Sequence, residues 1–450
     1  MKLAVIGAGY LGAVQATAMA SLGFEVVAVD VDPGRIEALR AGRAPFFEPG
    51  FDEMLGDVMA TGRLRWTLDY ADLADADVHF LCVGTPQKRG SHAADLRFVW
   101  AAVEAVLPFL KAGAVVAGKS TVPVGTAQEI ADRVEVGWAG AAGEPGAAGV
   151  APVVVWNPEF LREGFAVADT LRPDRIVVGA PEGPGGDRAK AVMREVYATE
   201  IDAGVPFLVT DRPTAELVKV AANAFLATKI SFINAMAEVC EATGADVVTL
   251  AEAIGHDERI GRKFLGAGVG FGGGCLPKDI RAFAARAGEL GVDQALTFLS
   301  EVDGINSRRR DRAVTTAREL VGGSFRGRRV CVLGAAFKPD SDDVRDSPAL
   351  DITVRIHNEG GVVVVHDPKA LFNAELRFPA LGYEADLAAA LAGAELVLLL
   401  TEWGEYRRLD PVRTAGLVAA PRILDGRNVL DVESWRAAGW VLRGMGRAHH

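Results

Sequence analysis

The chain has 450 residues, 50% of them hydrophobic and 24% charged, which is room for about two or three domains with cores of their own. A net charge of −11 argues against nucleic acid as the main partner, although local basic pockets can still bind phosphates. Four cysteines without paired spacing argue against a disulfide framework, the sequence opens on the strand-like MKLAVIG rather than on a signal peptide, and no apolar run approaches the roughly 20 residues of a bilayer span, so a cytoplasmic protein without a membrane partner is expected.

Through the first 200 residues, short β-branched runs alternate with helical patterns: LAVIG, EVVAVD, DVHFLCVG, AVVAGKS, VVVWN and RIVVG. Strands interleaved with helices imply a parallel, doubly wound sheet. Between Gly137 and Pro152, GWAGAAGEPGAAGVAP reads as a flexible surface loop between strands. Asp211 and Pro213 are good helix-start residues, and an apolar-rich stretch runs from them to about Thr243, where Gly244 ends it. Its apolar residues cover more than one face, as in a helix buried between domains or against a second subunit. The basic run Arg308, Arg309, Arg310 and Arg312 reads as a solvated helix face. From Arg326 the α/β rhythm restarts with RRVCVLGAAF, GGVVVVHDP, AELVLLLTEW and RILDGRNVL. The expected fold is α/β: two Rossmann-like doubly wound sheet domains joined by a long central helix, with divisions at 1–210, 211–310 and 311–450. No internal repeat is visible in the sequence.

The first strand runs into GAGYLG, with glycines at 7, 9 and 12, and a helical pattern follows. Gly7 permits the tight turn, Gly9 the approach of a pyrophosphate and Gly12 close helix packing. Asp30 ends the next strand about 20 residues on, where a carboxylate grips ribose hydroxyls and repels a 2′-phosphate, so NAD is expected over NADP. Arg35 tempers that preference, since an arginine there could line the adenosine side or tolerate NADP.

A second glycine-rich segment, GFGGGCLPKD from Gly270 to Asp279, sets Cys275 ahead of what reads as a first helical turn. Backbone N–H groups at a helix start, with Lys278 nearby, favour the nucleophilic thiolate, and the glycines would let a substrate approach the backbone. Cys82 and Cys331, in strand-like runs, and Cys240, in an apolar helix, read as buried hydrophobes. In NPEFLREG (157–164), Asn157 reads as an N-cap and Pro158 as a first helical residue, which would put Glu159 and Glu163 on one face. Lys219 and Asn223 are one turn apart on the long helix, and a lysine in so apolar a stretch needs a reason to be there.

Taken in order, GAGYLG, KSTVPVGT (119–126), NPEFLREG, ELVKVAANAF (216–225), GFGGGCLPKD and FKPDSDDVRDSP (337–348) closely resemble the UDP-glucose 6-dehydrogenase family, within the wider UDP-glucose/GDP-mannose dehydrogenases. The resemblance implies a homodimer or larger homo-oligomer that oxidises the C6 alcohol of UDP-glucose to UDP-glucuronate with two NAD. It implies Cys275 as nucleophile through a thiohemiacetal and a thioester, Glu159 as base for hydrolysis, and Lys219 and Asn223 as oxyanion stabilisers. Asp279 would assist proton removal through an ordered water, and Thr121 would orient that water or the substrate. Cofactor contacts are implied for Tyr10, Leu11, Val83, Thr85, Pro86, Ser120, Thr121, Glu163, Lys278 and Arg345, beside Gly7, Gly9, Gly12, Asp30 and Arg35. Substrate contacts are implied for Glu159, Phe160, Leu161, Arg162, Glu163, Lys219 and Asn223, for Arg259 (reaching a neighbouring subunit's site), and for Gly266, Gly270, Phe271, Gly272, Phe337, Lys338 and Arg427. No metal is implied. GGGC replaces the family's more usual GGSC, which removes a serine hydroxyl.

Competing readings are the same chemistry on GDP-mannose or a UDP-N-acetylhexosamine, a two-electron β-hydroxyacid dehydrogenase, and a non-enzymatic sensor of NAD or nucleotide-sugar. Cys275 and the third domain disfavour the second, and the full set of expected catalytic residues disfavours the third.

Overall fold

The computed structural model describes residues 1–141 and 150–447. The helix Thr126–Ala141 occupies the start of the stretch expected to be a loop from Gly137. A Cβ at Gly137 would lie 2.0 Å from the Leu107 side chain, so glycine there answers to packing rather than to a turn. Residues 142–149 of the expected loop, and the terminal 448–450, lie outside the described residues. The chain divides into two compact units, Met1–Ala222 and Asn223–His450.

In the first unit, strands β1 (Lys2–Ile6), β2 (Glu25–Val29), β3 (Leu64–Thr67), β4 (Val78–Leu81), β5 (Val115–Gly118), β6 (Val153–Trp156), β7 (Ile176–Gly179) and β8 (Phe207–Thr210) form one sheet. The order is β3-β2-β1-β4-β5-β6-β7-β8. All neighbours are parallel except β6 and β7. Successive residues of β1 enter opposite cores: Leu3 and Val5 pack on one side, Ala4 and Ile6 on the other. Burial of both faces makes these strands read as continuous apolar runs rather than alternating ones. β3 and β8 were not anticipated; each has only four residues and ends the sheet.

The long helix spans Arg212–Thr243, 32 residues, and Asp211 caps it by accepting the Thr214 N–H at 2.7 Å. By length and composition alone it is long and apolar enough to cross a bilayer, which qualifies the expectation drawn from apolar runs; 44% of its most apolar window is buried within the protein.

In the second unit, β9 (Arg329–Leu333), β10 (Val362–His366), β11 (Gly382–Tyr383), β12 (Leu396–Leu399), β13 (Arg422–Asp425) and β14 (Val441–Gly444) form a parallel sheet ordered β11-β10-β9-β12-β13-β14. This is the third-second-first-fourth-fifth-sixth order of the first six strands of the chain. The topology is therefore repeated where the sequence shows no repeat. Two members of the basic run on helix Phe298–Leu320 are buried instead of solvated: Arg309 pairs with Glu241 at 3.2 Å and Arg310 with Asp346 at 3.0 Å.

Candidate active site

In the first unit, β1 runs into Gly7, at φ +92°, and helix Tyr10–Ser21 starts directly behind Gly9. A Cβ at Gly12 would sit 1.8 Å from the Gly7 carbonyl oxygen, so helix and turn touch there. Gly9 faces open space, and no side chain caps the helix start, which leaves its first N–H groups available to a diphosphate. Asp30 Oδ2 accepts the Ala8 N–H at 2.6 Å and pairs with Arg35 Nη1 at 2.9 Å, while Oδ1 accepts the Asp32 N–H at 2.9 Å. This turn fits the nucleotide expected there.

Next to β4 and β5, the Thr85 hydroxyl donates to the Thr121 carbonyl at 2.7 Å and the Ser120 hydroxyl to the Val83 carbonyl at 2.7 Å. Four expected cofactor residues are thus brought together, and the carbonyl of the fifth, Pro86, accepts the Asp95 N–H at 2.7 Å.

The NPEFLREG segment is a loop, not a helical turn; the short helix begins only at Ala166. Asn157 is not an N-cap, because its side chain is buried and fully used. Its Nδ2 donates to the Val177 carbonyl at 2.8 Å, and its Oδ1 accepts from Lys119 Nζ at 3.0 Å and from the Tyr197 hydroxyl at 2.6 Å. Burial pushes the Tyr197 hydroxyl pKa up, against the pull of Lys119. Glu159 Oε1 lies 2.8 Å from Lys219 Nζ, with both side chains largely buried, and Glu159 Oε2 accepts the Leu161 N–H at 2.8 Å. Lys219 also stands 5.7 Å from the Phe160 ring centre. Lys119, Asn157, Glu159, Phe160, Arg175 and Tyr197 line a cavity of about 50 Å³. Arg162, expected at the substrate, is instead held by Asp169 at 2.7 Å and its side chain is 58% exposed.

In the second unit, Cys275 is exposed at the N-cap position of helix Leu276–Glu289, while the other three cysteines are buried. Burial pushes the Cys82 and Cys331 thiols up to about 12. Asp279, in the first turn of that helix and buried, accepts Asn223 Nδ2–H at 2.6 Å on one oxygen and meets Lys278 Nζ at 2.5 Å on the other. Lys278 is thus engaged with its neighbouring carboxylate.

Most of the glycines before Cys275 serve the protein's own packing more than a substrate's approach. A Cβ at Gly270 would lie 2.4 Å from Asn306 Oδ1, and one at Gly272 would lie 2.2 Å from the Asp346 carbonyl oxygen. Buried Asn306 accepts the Phe271 N–H at 2.7 Å and returns a hydrogen bond to the Phe271 carbonyl at 2.9 Å. Among the glycines expected at the substrate, Gly266 alone faces open space. Arg427 donates to the carbonyls of Leu400, Gly270 and Phe337 at 2.7, 2.9 and 3.3 Å, bracing the loop against the second sheet. Lys338 lies 5.4 Å from the Phe337 ring centre. Arg345 is paired with Asp343 at 2.7 Å, and a Cβ at Gly274 would meet its guanidinium. Arg259 stands apart: its side chain is 89% exposed and paired with Asp257 at 2.6 Å.

Sequence reasoning missed Lys119, Tyr197, Asn306 and Arg310. For Lys119 the signal available was a charge closing the apolar run AVVAGK, which folds inward only when its hydrogen bonds are met; the local sequence around the other three carried none.

Family models match in three successive segments: the NAD binding domain of the UDP-glucose/GDP-mannose dehydrogenase family at residues 1–201, its central domain at 213–308 and its UDP binding domain at 331–432. The chain belongs to the UDP-glucose/GDP-mannose dehydrogenase family. It is 41% identical to the UDP-glucose 6-dehydrogenase of Rhizobium meliloti over 448 residues, covering 99% of this chain and all of that one. Among solved structures, it resembles a UDP-glucose dehydrogenase from Pyrobaculum islandicum with a TM-score of 0.88 at 39% identity, covering 99% of this chain and 98% of the other. It resembles the UDP-D-ManNAc dehydrogenase of Pyrococcus horikoshii with a TM-score of 0.85 at 27% identity, covering both chains in full. As a member of this family, the protein is an NAD-dependent oxidoreductase, with its NAD binding domain in residues 1–201.

Proposed function

We propose that the protein oxidises UDP-glucose to UDP-glucuronate. The observation that carries the proposal is Cys275: it is the one exposed cysteine of the four, and it stands at a helix start with Asp279, hydrogen-bonded by Asn223 of the long helix, in the first turn behind it. Identity to UDP-glucose enzymes near 40%, against 27% to the N-acetylmannosamine enzyme, favours glucose as the sugar.

NAD supplies the hydride acceptor in both oxidations. Asp279 and Lys219 hold the water that takes the C6 hydroxyl proton as hydride leaves carbon, and Thr121 orients that water. The Cys275 thiolate adds to the aldehyde carbon, and Lys219 and Asn223 donate hydrogen bonds to the oxygen that becomes negative. Loss of the second hydride converts this thiohemiacetal to a thioester. Glu159 then takes a proton from water as its oxygen bonds to the acyl carbon; the carbon–sulfur bond breaks and Cys275 leaves as thiolate. Covalent retention keeps the aldehyde from escaping while the cofactor is exchanged.

The 2.8 Å pairing of Lys219 with Glu159 supports this division of labour, since it holds the groups assigned to oxidation and to hydrolysis side by side. The remaining contacts are assigned to the cofactor and to the nucleotide-sugar as the motifs imply. Division into cofactor, central and nucleotide-sugar domains, a cytoplasmic location and a homodimer belong to the same proposal. Phe225, Phe232 and Val239, seven residues apart and exposed on the long helix, support the dimer.

The test is to incubate the protein with limiting UDP-glucose and excess NAD and to count NADH per sugar. About two is expected from hydride bookkeeping. One would remove the thioester, and none would overturn the substrate. Cys275→Ser is expected to block steady turnover; acid production near the wild-type rate by that variant would overturn the covalent route.

A further inference from the structure

The loop that carries Glu159 and Glu163 is tied at both ends. At its start, Asn157 is held by Lys119, Tyr197 and the Val177 carbonyl. At its end, a residue outside every motif takes over. Glu48, 5% exposed, accepts the Gly164 N–H on Oε2 at 2.6 Å and the Ala166 N–H on Oε1 at 2.7 Å. The same Oε2 accepts a short hydrogen bond from the Tyr10 hydroxyl, whose oxygen in turn accepts the Gly164 N–H at 3.2 Å. Tyr10 is the first residue of the helix behind Gly9, inside the cofactor turn itself, and its ring packs on Phe46 with centres 4.7 Å apart.

We propose that Glu48 and Tyr10 are positioning residues that latch the cofactor turn to the Glu159 loop, so that the geometry of thioester hydrolysis depends on the state of the cofactor turn. The proposal rests on the reading of Glu159 as the hydrolytic base. The chemistry of Glu48 suits a latch. A carboxylate accepts from all three donors at once, and nothing smaller or neutral replaces it: an amide at this position would turn an NH₂ donor toward a backbone N–H or toward the Tyr10 hydroxyl. Two backbone N–H groups two residues apart, both bound by one buried anion, fix the direction in which the loop leaves Gly164. Glu163 precedes that point by one residue and Glu159 by five. The coupling to the cofactor runs through one side chain, because Tyr10 cannot follow a shift of the glycine turn without moving its hydroxyl against Glu48 and Gly164.

The test separates oxidation from hydrolysis in the full-length enzyme. With UDP-glucose and NAD mixed rapidly, Glu48→Gln is expected to form NADH in a burst of up to about two per active site, at the wild-type rate, and then to turn over about 100-fold more slowly, the scale set by a 1 Å misplacement of a catalytic group. Intact-mass measurement after quenching should find an acyl adduct on Cys275. Tyr10→Phe, which keeps the ring on Phe46, is expected to show a smaller burst-to-steady ratio together with a raised KM for NAD. A loss that is structural only would lower burst amplitude and steady rate in equal proportion to the folded fraction, and that outcome overturns the latch. If Glu48→Gln fails to fold, Tyr10→Phe decides alone: wild-type burst ratio and wild-type KM would overturn the proposal. Glu159→Gln distinguishes the two layers. If it turns over at the wild-type steady rate, the base reading falls and the latch with it; if it stalls with the adduct while Glu48→Gln does not, the latch alone falls.

Discussion

The two sheets begin the same way and diverge within a few residues. β1 is followed by Gly7, whose N–H meets the Val29 carbonyl at 2.8 Å; β9 is followed by Gly334, whose N–H meets the His366 carbonyl at 2.8 Å. Asp30 follows β2 and accepts the Ala8 N–H at 2.6 Å; Asp367 follows β10 and accepts the Ala335 N–H at 2.7 Å. After that the first turn goes straight into a helix behind an uncapped Gly9, and Asp30 accepts from one backbone neighbour and one arginine besides. In the second turn Asp367 also takes the N–H groups of Ala336, Lys369 and Ala370 and the Trp403 indole, and no helix begins until Pro348. A carboxylate has about four lone-pair sites, so Asp367 is saturated where Asp30 keeps capacity for a ribose. One topology therefore yields a dinucleotide turn in one copy and a closed, self-satisfied turn in the other.

The comparison breaks most sharply at Gly12. A methyl there would lie 1.8 Å from the Gly7 carbonyl oxygen, so Gly12→Ala must open the turn. NAD affinity is expected to fall by about 100-fold, near 3 kcal/mol, while Ala335→Gly in the other turn leaves it unchanged; fluorescence titration with NAD reads both. If the two variants bind NAD alike, the turns do not differ as described. Asp367→Asn inverts the pattern. Exchanging a buried acceptor of five donors for an amide is expected to cost about 3 kcal/mol in urea unfolding, with little change in NAD affinity. Asp30→Asn should cost less than half of that stability.

What was legible in the sequence follows from this contrast. GAGYLG announces itself because each glycine meets a separate geometric demand within six residues, whereas Gly334-Ala335-Ala336 carries only one glycine and depends on Asp367, more than thirty residues away. Strands buried on both faces were found because they are unbroken apolar runs. β3 and β8 were missed because four residues at a sheet edge carry too little pattern. Asn157 misled because an Asn-Pro pair does suit a helix start, yet here the asparagine turns inward to Lys119 and Tyr197, partners supplied by other strands and helices. Arg309 and Arg310 misled for the same reason: charge in a run predicts solvent unless Glu241 and Asp346 are known to be waiting. The motifs themselves were legible in the sequence, and the residues that brace them from a distance were not.

His79 sharpens the comparison in the sheets themselves. It lies fully buried on β4, paired with Ala4, where the corresponding residue of the second sheet, paired with Cys331, is Val397. Burial holds its imidazole down to about 4. An unfolded histidine titrates near 6.5, so between those values the unfolded chain binds the extra proton. Stability is then fully present above about pH 6.5 and is lost as pH falls toward about 4, amounting to about 2 kcal/mol by pH 5. Urea unfolding at pH 7 and pH 5 should show that difference in the wild type and a smaller one in His79→Val. Equal pH dependence in both would place the acid sensitivity elsewhere.

The smallest expected effect bears on which dinucleotide the first turn accepts. Asp30 Oδ2 is shared between the Ala8 N–H and Arg35, so the arginine that could greet a 2′-phosphate is held by the carboxylate that repels one. Asp30→Ser removes the repulsion and leaves the guanidinium only its longer pairing with Asp32 at 3.8 Å. NAD affinity should fall by about tenfold, near 1.4 kcal/mol, as one pair of ribose hydrogen bonds is lost, and NADP affinity should rise. Asp30→Ser with Arg35→Ala should lose the gain in NADP and keep the loss in NAD. Should the single variant weaken NAD and leave NADP unmoved, Arg35 is only a strut for Asp30. The selectivity would then come from the carboxylate's own charge.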